Sequence, residues 1–205
     1  MTATATLVRK GRKFDQVLDG AREVFMSDGF EGASVDEIAR VANVSKATLY
    51  SYFPDKRLLF MEVARHECER QARGALDSID MAAHPRDVLT QTGLHFLRFI
   101  TSEFGQRIFR ICVGEADRFP ELGQRFYASG PSVFRAEMAA YFEQAMARGE
   151  LQMDDPIMAA DQFGELCKAD LWPRLIFGVI KTASDAEIVR VVDNAVETFM
   201  ARYGA

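Results

Sequence analysis

Apolar residues recur at three- and four-residue spacing along almost every long segment of this 205-residue chain, and strand-like alternation persists nowhere. On a helix, positions three and four apart share one face, so the pattern calls for amphipathic helices packed on one another and leaves no material for a sheet. The expected fold is all-α, with about nine or ten helices. A hydrophobic fraction of 48% and a charged fraction of 27% suit a packed globular protein. No apolar run approaches the roughly 20 residues that a bilayer span requires, so no membrane partner is expected. The start, MTATATLVRKGRK, lacks the apolar core of a signal peptide, and a cytoplasmic location is expected. Cys68, Cys112 and Cys167 are odd in number and widely separated, which favours buried free thiols over a disulfide.

The signals between helices are specific. The first helix should cover about 12–27, with Phe14, Val17, Leu18, Ala21, Val24 and Phe25 on one face and Gly29 as a left-handed stop. Ser34 and Glu37 have the spacing of a capping box, and Val35, Ile38, Ala39 and Ala42 form the inner stripe of the short helix that follows. Asn43 tolerates the left-handed backbone of a sharp turn, and Ser45 caps a third helix of about two turns. Pro54 stops it, because the residue before proline avoids helical geometry. Asp55 then caps a long helix over 56–78. Further helices are expected near 85–102, 104–117, 120–128, 131–148, 156–179 and 185–202. Asp155-Pro156 reads as a cap followed by proline at the first helical position, Pro173 must kink or split its helix, and Ser184 with Glu187 repeats the capping-box spacing.

At 100° per residue, Leu49, Tyr52 and Phe53 cluster on one side of the third helix. Ala47, Tyr50 and Ser51 lie largely on the other, with Lys46 at the border. A short helix, a tight turn and a second helix with polar groups opposite its apolar anchors form the pattern presented to the major groove of DNA. Helical hairpins also serve as plain packing units, in which Tyr50 and Tyr52 would be part-buried aromatics and Lys46 a solvated charge. The third helix is too short to be stable alone, and its outer side offers Lys46, Tyr50 and Ser51 to phosphates or base edges. Those two features favour the DNA-reading arrangement.

The net charge of −5 is unevenly placed. Residues 1–60 hold 9 Lys+Arg against 8 Asp+Glu, and residues 61–205 hold 16 against 22. Salt screens charges beyond about 8–10 Å, so an acidic body does not prevent a local basic surface from holding phosphate.

The run VFMSDGFEGASVDEIARVANVSKATLYSYFPDKRLLF resembles the N-terminal DNA-binding domain of the tetracycline-repressor (TetR) family of bacterial regulators. The likeness covers about residues 10–60, with Asn43 and Ala47 standing where the family commonly has glycine. It implies a helix-turn-helix domain over 1–55, whose residues 1–10 form a flexible basic arm, and a ligand-binding and dimerisation domain over 56–205. By this resemblance Ser34 meets a phosphate through its hydroxyl or helix N-terminus. Lys46, Ala47 and Tyr50 face the groove, Ser45, Thr48, Ser51 and Tyr52 lie near phosphates or base edges, and Lys56 holds the DNA backbone from the other side. Arg9, Lys10, Arg12 and Lys13 either add phosphate or minor-groove contacts or form a solvated arm. One short reading helix makes too few base contacts, so a homodimer on an inverted-repeat, double-stranded operator is expected, with half-sites about 34 Å or a multiple apart.

For the body, the resemblance implies a dimer built from the last two long helices. The candidate residues are Phe163, Leu166, Ile188, Val191, Val192, Ala195 and Phe199, and the same stripes also fit packing within one subunit. The middle of the chain is rich in aromatics. Phe96, Phe99, Phe134, Met138, Trp172 and Phe177 are candidates to line an apolar effector cavity, with His66, Arg110 and Glu115 (and His95) as its polar groups. Each also has an ordinary core or surface reading. The segment IFRICVGEADRFPELGQRFYASGP, with the tryptophan-containing helix, resembles the C-terminal domain of AefR-like regulators and names no ligand.

Enzymatic readings find no support. There is no phosphate loop, nucleophile elbow or zinc-spaced His/Cys pair, and His66 and Cys68 point roughly 200° apart on a helix. No cofactor and no metal are expected. The reading is a repressor that leaves its operator when a small apolar or amphipathic effector binds, and an activator or effector-independent regulator fits the same residues.

Overall fold

The computed structural model describes residues 11–205, except for the side chains of 71–78. The described residues form eleven helices: α1 (Arg12–Gly32), α2 (Val35–Val41), α3 (Lys46–Tyr52), α4 (Lys56–Ser78), α5 (Pro85–Thr101), α6 (Glu103–Gly114), α7 (Pro120–Ser129), α8 (Pro131–Ala147), α9 (Pro156–Lys168), α10 (Leu171–Ile176) and α11 (Asp185–Tyr203). The all-α expectation is met. The basic residues Arg9 and Lys10 lie outside the described residues.

Two compact units divide between Glu67 and Cys68, inside α4. The sequence reading placed the division before Lys56. The first turns of α4 carry Leu59, Phe60, Met61, Val63 and Ala64, all buried. Phe60 packs edge-on against Phe25 and Phe30, with ring centroids 5.2 and 5.3 Å apart. These aromatic contacts draw the start of α4 into the core of the first unit.

In the first unit the apolar face of α1 supports α2 and α3 through Phe14, Val17, Leu18, Ala21, Val24 and Phe25, all buried. Gly29 takes the left-handed backbone expected of it (φ 71°), and one further turn follows before α2. The two serine caps form, Ser34 Oγ accepting from the Glu37 amide at 3.0 Å and Ser45 Oγ from the Thr48 amide at 3.1 Å. The expected box at Ser34 is only half made. The Glu37 carboxylate goes forward to Arg40, 2.9 and 2.6 Å from two guanidinium nitrogens, because a bidentate charge-assisted pair outcompetes a single amide. Asn43 has φ 52°, and the Val44 amide reaches back to the Ala39 carbonyl at 3.0 Å, closing a Schellman-type turn.

The second unit is built around α5, α8, α9 and α11, with α8 packed on α9 and α5 on α11. Its core includes Leu89, Leu97, Phe142, Phe163, Val192 and Phe199, each at most 1% exposed. Phe199 stacks on Phe142 at 5.0 Å and meets Phe163 edge-on at 5.4 Å. The second capping box is complete at Ser184 and Glu187. The expected helix over 156–179 is two helices, and the break falls at Ala169–Asp170 instead of at Pro173. In a continuous helix the Pro173 ring would clash with the Ala169 carbonyl four residues back. Breaking at Asp170 puts Pro173 in the first turn of α10, where its missing N–H is harmless. Asp170 carries the cost, with φ 63° and ψ −64° and a tight turn closed by the Leu171 amide on the Ala169 carbonyl at 2.8 Å. Arg174 and Arg190 flank its carboxylate at 3.3 and 2.6 Å and hold it below the usual Asp range, Arg190 contributing most.

The residues assigned to the dimer interface lie mostly in the core of their own subunit. Phe163, Ile188, Val191, Val192, Ala195 and Phe199 are 0–5% exposed within one subunit, and Leu166 packs against the same core. α5 lies against both α9 and α11 and covers much of these stripes, with Leu166 remaining partly exposed. The three cysteines are thiols and are buried, as expected. No helix among the described residues is long and apolar enough to cross a membrane.

Candidate nucleic-acid interface

The third helix is held from beneath and open above. Leu49 is 1% exposed and Phe53, at the C-cap, is buried. Phe53 stacks obliquely on Phe14 at 5.4 Å, and Tyr52 meets Phe14 edge-on at 5.6 Å. Seven residues cannot sustain a helix alone, so these contacts and the Ser45 cap hold it in place. On its outer side Lys46, Ala47, Tyr50 and Ser51 are exposed, Tyr50 by 50%. Their spacing puts all four on one face of about two turns, the width of a helix laid in a major groove.

The polar groups and the other sequence-assigned contacts have partners within the protein. Ser34 and Ser45 are exposed at their caps, each hydroxyl accepting from an amide, with Ser45 also sharing a 2.8 Å hydrogen bond with the Thr48 hydroxyl. Ser51 donates to the Thr48 carbonyl at 2.6 Å. Tyr52 is half-buried, its ring serving the anchor and not the reading face. Lys56 departs furthest from expectation. Its ammonium donates to the carbonyls of Phe30 (2.7 Å), Ala33 (3.0 Å) and Glu31 (3.4 Å), so its three donors already have protein partners. The resemblance placed this lysine on the DNA backbone, and in the structure its ammonium lies on carbonyls at and just beyond the end of α1.

Among the described residues of this unit, several cations are paired with carboxylates of the same unit. Lys46 pairs with Asp36 of α2 at 2.5 Å, Arg40 with Glu37, Arg57 with Asp55 and Arg22 with Glu67. The Arg40 hydrogen bond holds the Glu37 carboxyl below its ordinary range, and the Arg57 hydrogen bond does the same for Asp55. Arg12 and Lys13 are exposed in the first turn of α1. Asp36 was missed in the sequence, because its pairing with Lys46 joins two helices and has no local spacing signal.

Residues 17–63 match the model of bacterial regulatory proteins of the tetR family, and residues 87–205 match the C-terminal domain of AefR-like transcriptional repressors. The second match alone covers more than half of the chain. The chain belongs to the tetR family. A TetR-family transcriptional regulator of Mesorhizobium loti superposes with a TM-score of 0.86 at 29% identity, over 97% of this chain and all of that one. The flavonoid-responsive regulator FrrA is 33% identical, with a TM-score of 0.75 over 95% of this chain and 98% of its own. The repressor AcnR of Corynebacterium glutamicum is 22% identical over 88% of this chain and 90% of its own. Alignments to AcnR of Corynebacterium diphtheriae and to MftR of Mycobacterium tuberculosis, 34% and 36% identical, take in 34% and 42% of this chain and 40% and 43% of those proteins. These relatives are regulators, and the chain is a DNA-binding transcriptional regulator, not an enzyme.

The effector candidates of this TetR-family chain do not form one set. Phe96 stacks on Phe134 at 4.6 Å, and Phe109 meets Trp172 edge-on at 4.9 Å, so aromatic pairs exist around α5, α6, α8 and α10. Met138 is core at 3% exposure, and Phe99 is half-buried. Phe177 is 83% exposed on the turn after α10. Arg110 donates to the carbonyls of Leu175 (2.6 Å) and Ile176 (3.2 Å), capping α10. Glu115 sits at the C-cap of α6, and His66 is exposed in the first compact unit, outside the body. Among the described residues, the Tyr141 hydroxyl is the buried side-chain polar atom without a hydrogen-bond partner, a feature that sequence could not signal.

Proposed function

We propose that this regulator binds an inverted-repeat operator as a homodimer in the cytoplasm, represses from it, and is released by a small apolar or amphipathic effector. The observation that supports DNA reading by α3 is the exposed face of Lys46, Ala47, Tyr50 and Ser51 on a helix anchored by Leu49 and Phe53. Two copies with half-sites about 34 Å apart would supply the base contacts that one two-turn helix lacks. If α9 and α11 meet a partner, they do so through outward residues such as Ile157, Met158 and Val189, all exposed. α4 runs from the first compact unit into the second, so a bias on α4 in the body would alter the spacing of the two reading heads. An effector shifts that equilibrium only through a difference in affinity for the two arrangements.

The aromatic pairs of the body and the likeness to the flavonoid-responsive FrrA make planar aromatic compounds the first class to test. Duplexes selected from a random pool by the wild-type protein should carry two-fold-related half-sites, and a flavonoid panel should then be titrated against that complex. Selection without half-site symmetry would overturn the dimeric reading. Undiminished binding at saturating levels of every compound would overturn the effector class.

A further inference from the structure

The three carbonyls that receive Lys56 are those of a helix end that lacks a cation of its own. α1 has no basic residue in its last turn, although a helix C-terminus carries unpaired carbonyls and partial negative charge. Lys56 supplies that charge from 23 to 26 residues away in sequence. Its ammonium also stands 4.7 Å over the ring of Phe30. Phe60, one turn further along the same face of α4, meets that ring edge-on at 5.3 Å. α4 therefore clasps the α1–α2 corner twice, by a cation on carbonyls and by ring against ring. The corner ends at Ala33, 2% exposed and immediately before Ser34, the cap of α2.

We propose that Lys56 is a positioning residue of the reading head and not a phosphate contact. By holding the carbonyls of Phe30 and Ala33, it sets the start of α2, and hence α3, relative to α4. The inference rests on DNA reading by α3. It predicts a signature that a phosphate contact cannot give. A lysine on phosphate adds affinity for every sequence and about 0.9 to the slope of log K against log salt. A latch fixes geometry, which specific contacts need and non-specific electrostatic binding does not.

The test compares wild type, Lys56→Met and Tyr50→Ala on the selected duplex and on a random duplex across a salt series, each at its titrated active fraction. Lys56→Met should lose about tenfold on the selected duplex, leave random-duplex affinity unchanged, and keep the salt slope. Equal losses on both duplexes, with a slope lower by about 0.9, would overturn the latch in favour of a phosphate contact. A Tyr50→Ala protein that still prefers the selected duplex would instead overturn the reading of α3. A measurement on wild-type protein does not depend on the variant folding. The Lys56 ammonium proton signal should be protected from solvent exchange in the free protein and unshifted by DNA, and rapid exchange or a DNA-induced shift would reject the proposal.

Discussion

Replacing Gly20 by alanine sets two effects of opposite sign against each other. Gly20 lies in the interior of α1 with ordinary helical backbone, so alanine should favour the helix by about 1 kcal/mol. The added methyl carbon would stand 2.7 Å from the N, Cα and Cβ of Ala42, the C-cap of α2. Carbon atoms rest about 3.5–4.0 Å apart, so α1 and α2 would have to separate by about 1 Å. The obstacle is backbone and cannot rotate aside, which places the overpacking cost toward the upper part of the usual range of about 1–3 kcal/mol. The net expectation is a loss of about 1–2 kcal/mol. Ala42 directly precedes the Asn43 turn, so the displacement also reaches α3 and should weaken operator binding beyond the loss of stability. Denaturant unfolding followed by far-UV circular dichroism reads the first quantity, because Trp172 lies in the other compact unit. Gly123→Ala is the control of opposite sign. Its methyl would meet only Ala116 Cβ at an ordinary 3.5 Å, and it should stabilise by about 0.5–1 kcal/mol. A Gly20→Ala protein as stable as wild type, with unchanged DNA affinity, would refute the close-approach reasoning.

Other perturbations follow from the same geometry. Tyr50→Ala should leave the unfolding midpoint within the roughly ±0.5 kcal/mol of a surface change and lower selected-duplex affinity at least tenfold, checked by melting and gel shift. Burial pushes the Cys112 and Cys167 thiols up to about 12, so at pH 8 a thiol reagent should label both slowly in native protein and promptly in denaturant. The Ser184 backbone amide and then its hydroxyl hold the Glu187 carboxyl below its usual value of about 4.3. A carboxyl lowered on folding adds stability that is present above its unfolded value and lost as pH falls through its folded one. Amide protection factors at the start of α11, corrected for intrinsic exchange, should therefore fall as pH drops below about 4.3, and Glu187→Gln should remove that dependence.

Local rules carried the sequence a long way. The helical spacing, the caps at Ser34, Ser45 and Ser184, the left-handed turn at Asn43 and the division of α3 into anchor and outer face are properties of a few neighbouring residues. Helical periodicity and cap chemistry act over such short spans, so the exposed outer face of α3 could be drawn without coordinates. What the sequence left undecided were choices between partners distant along the chain. An apolar stripe on α11 specifies that something covers it, and only the packing showed that α5 and α9 do so before any second subunit can. Pro173 announced a break, and the clash with the carbonyl four residues back placed it at Asp170. By the family resemblance, Lys56 was expected to hold the DNA backbone. Only the tertiary fold brought the carbonyls of Phe30, Glu31 and Ala33, at and just beyond the end of α1, to its ammonium, and a charge settles on the acceptors nearest in space, wherever they stand in sequence.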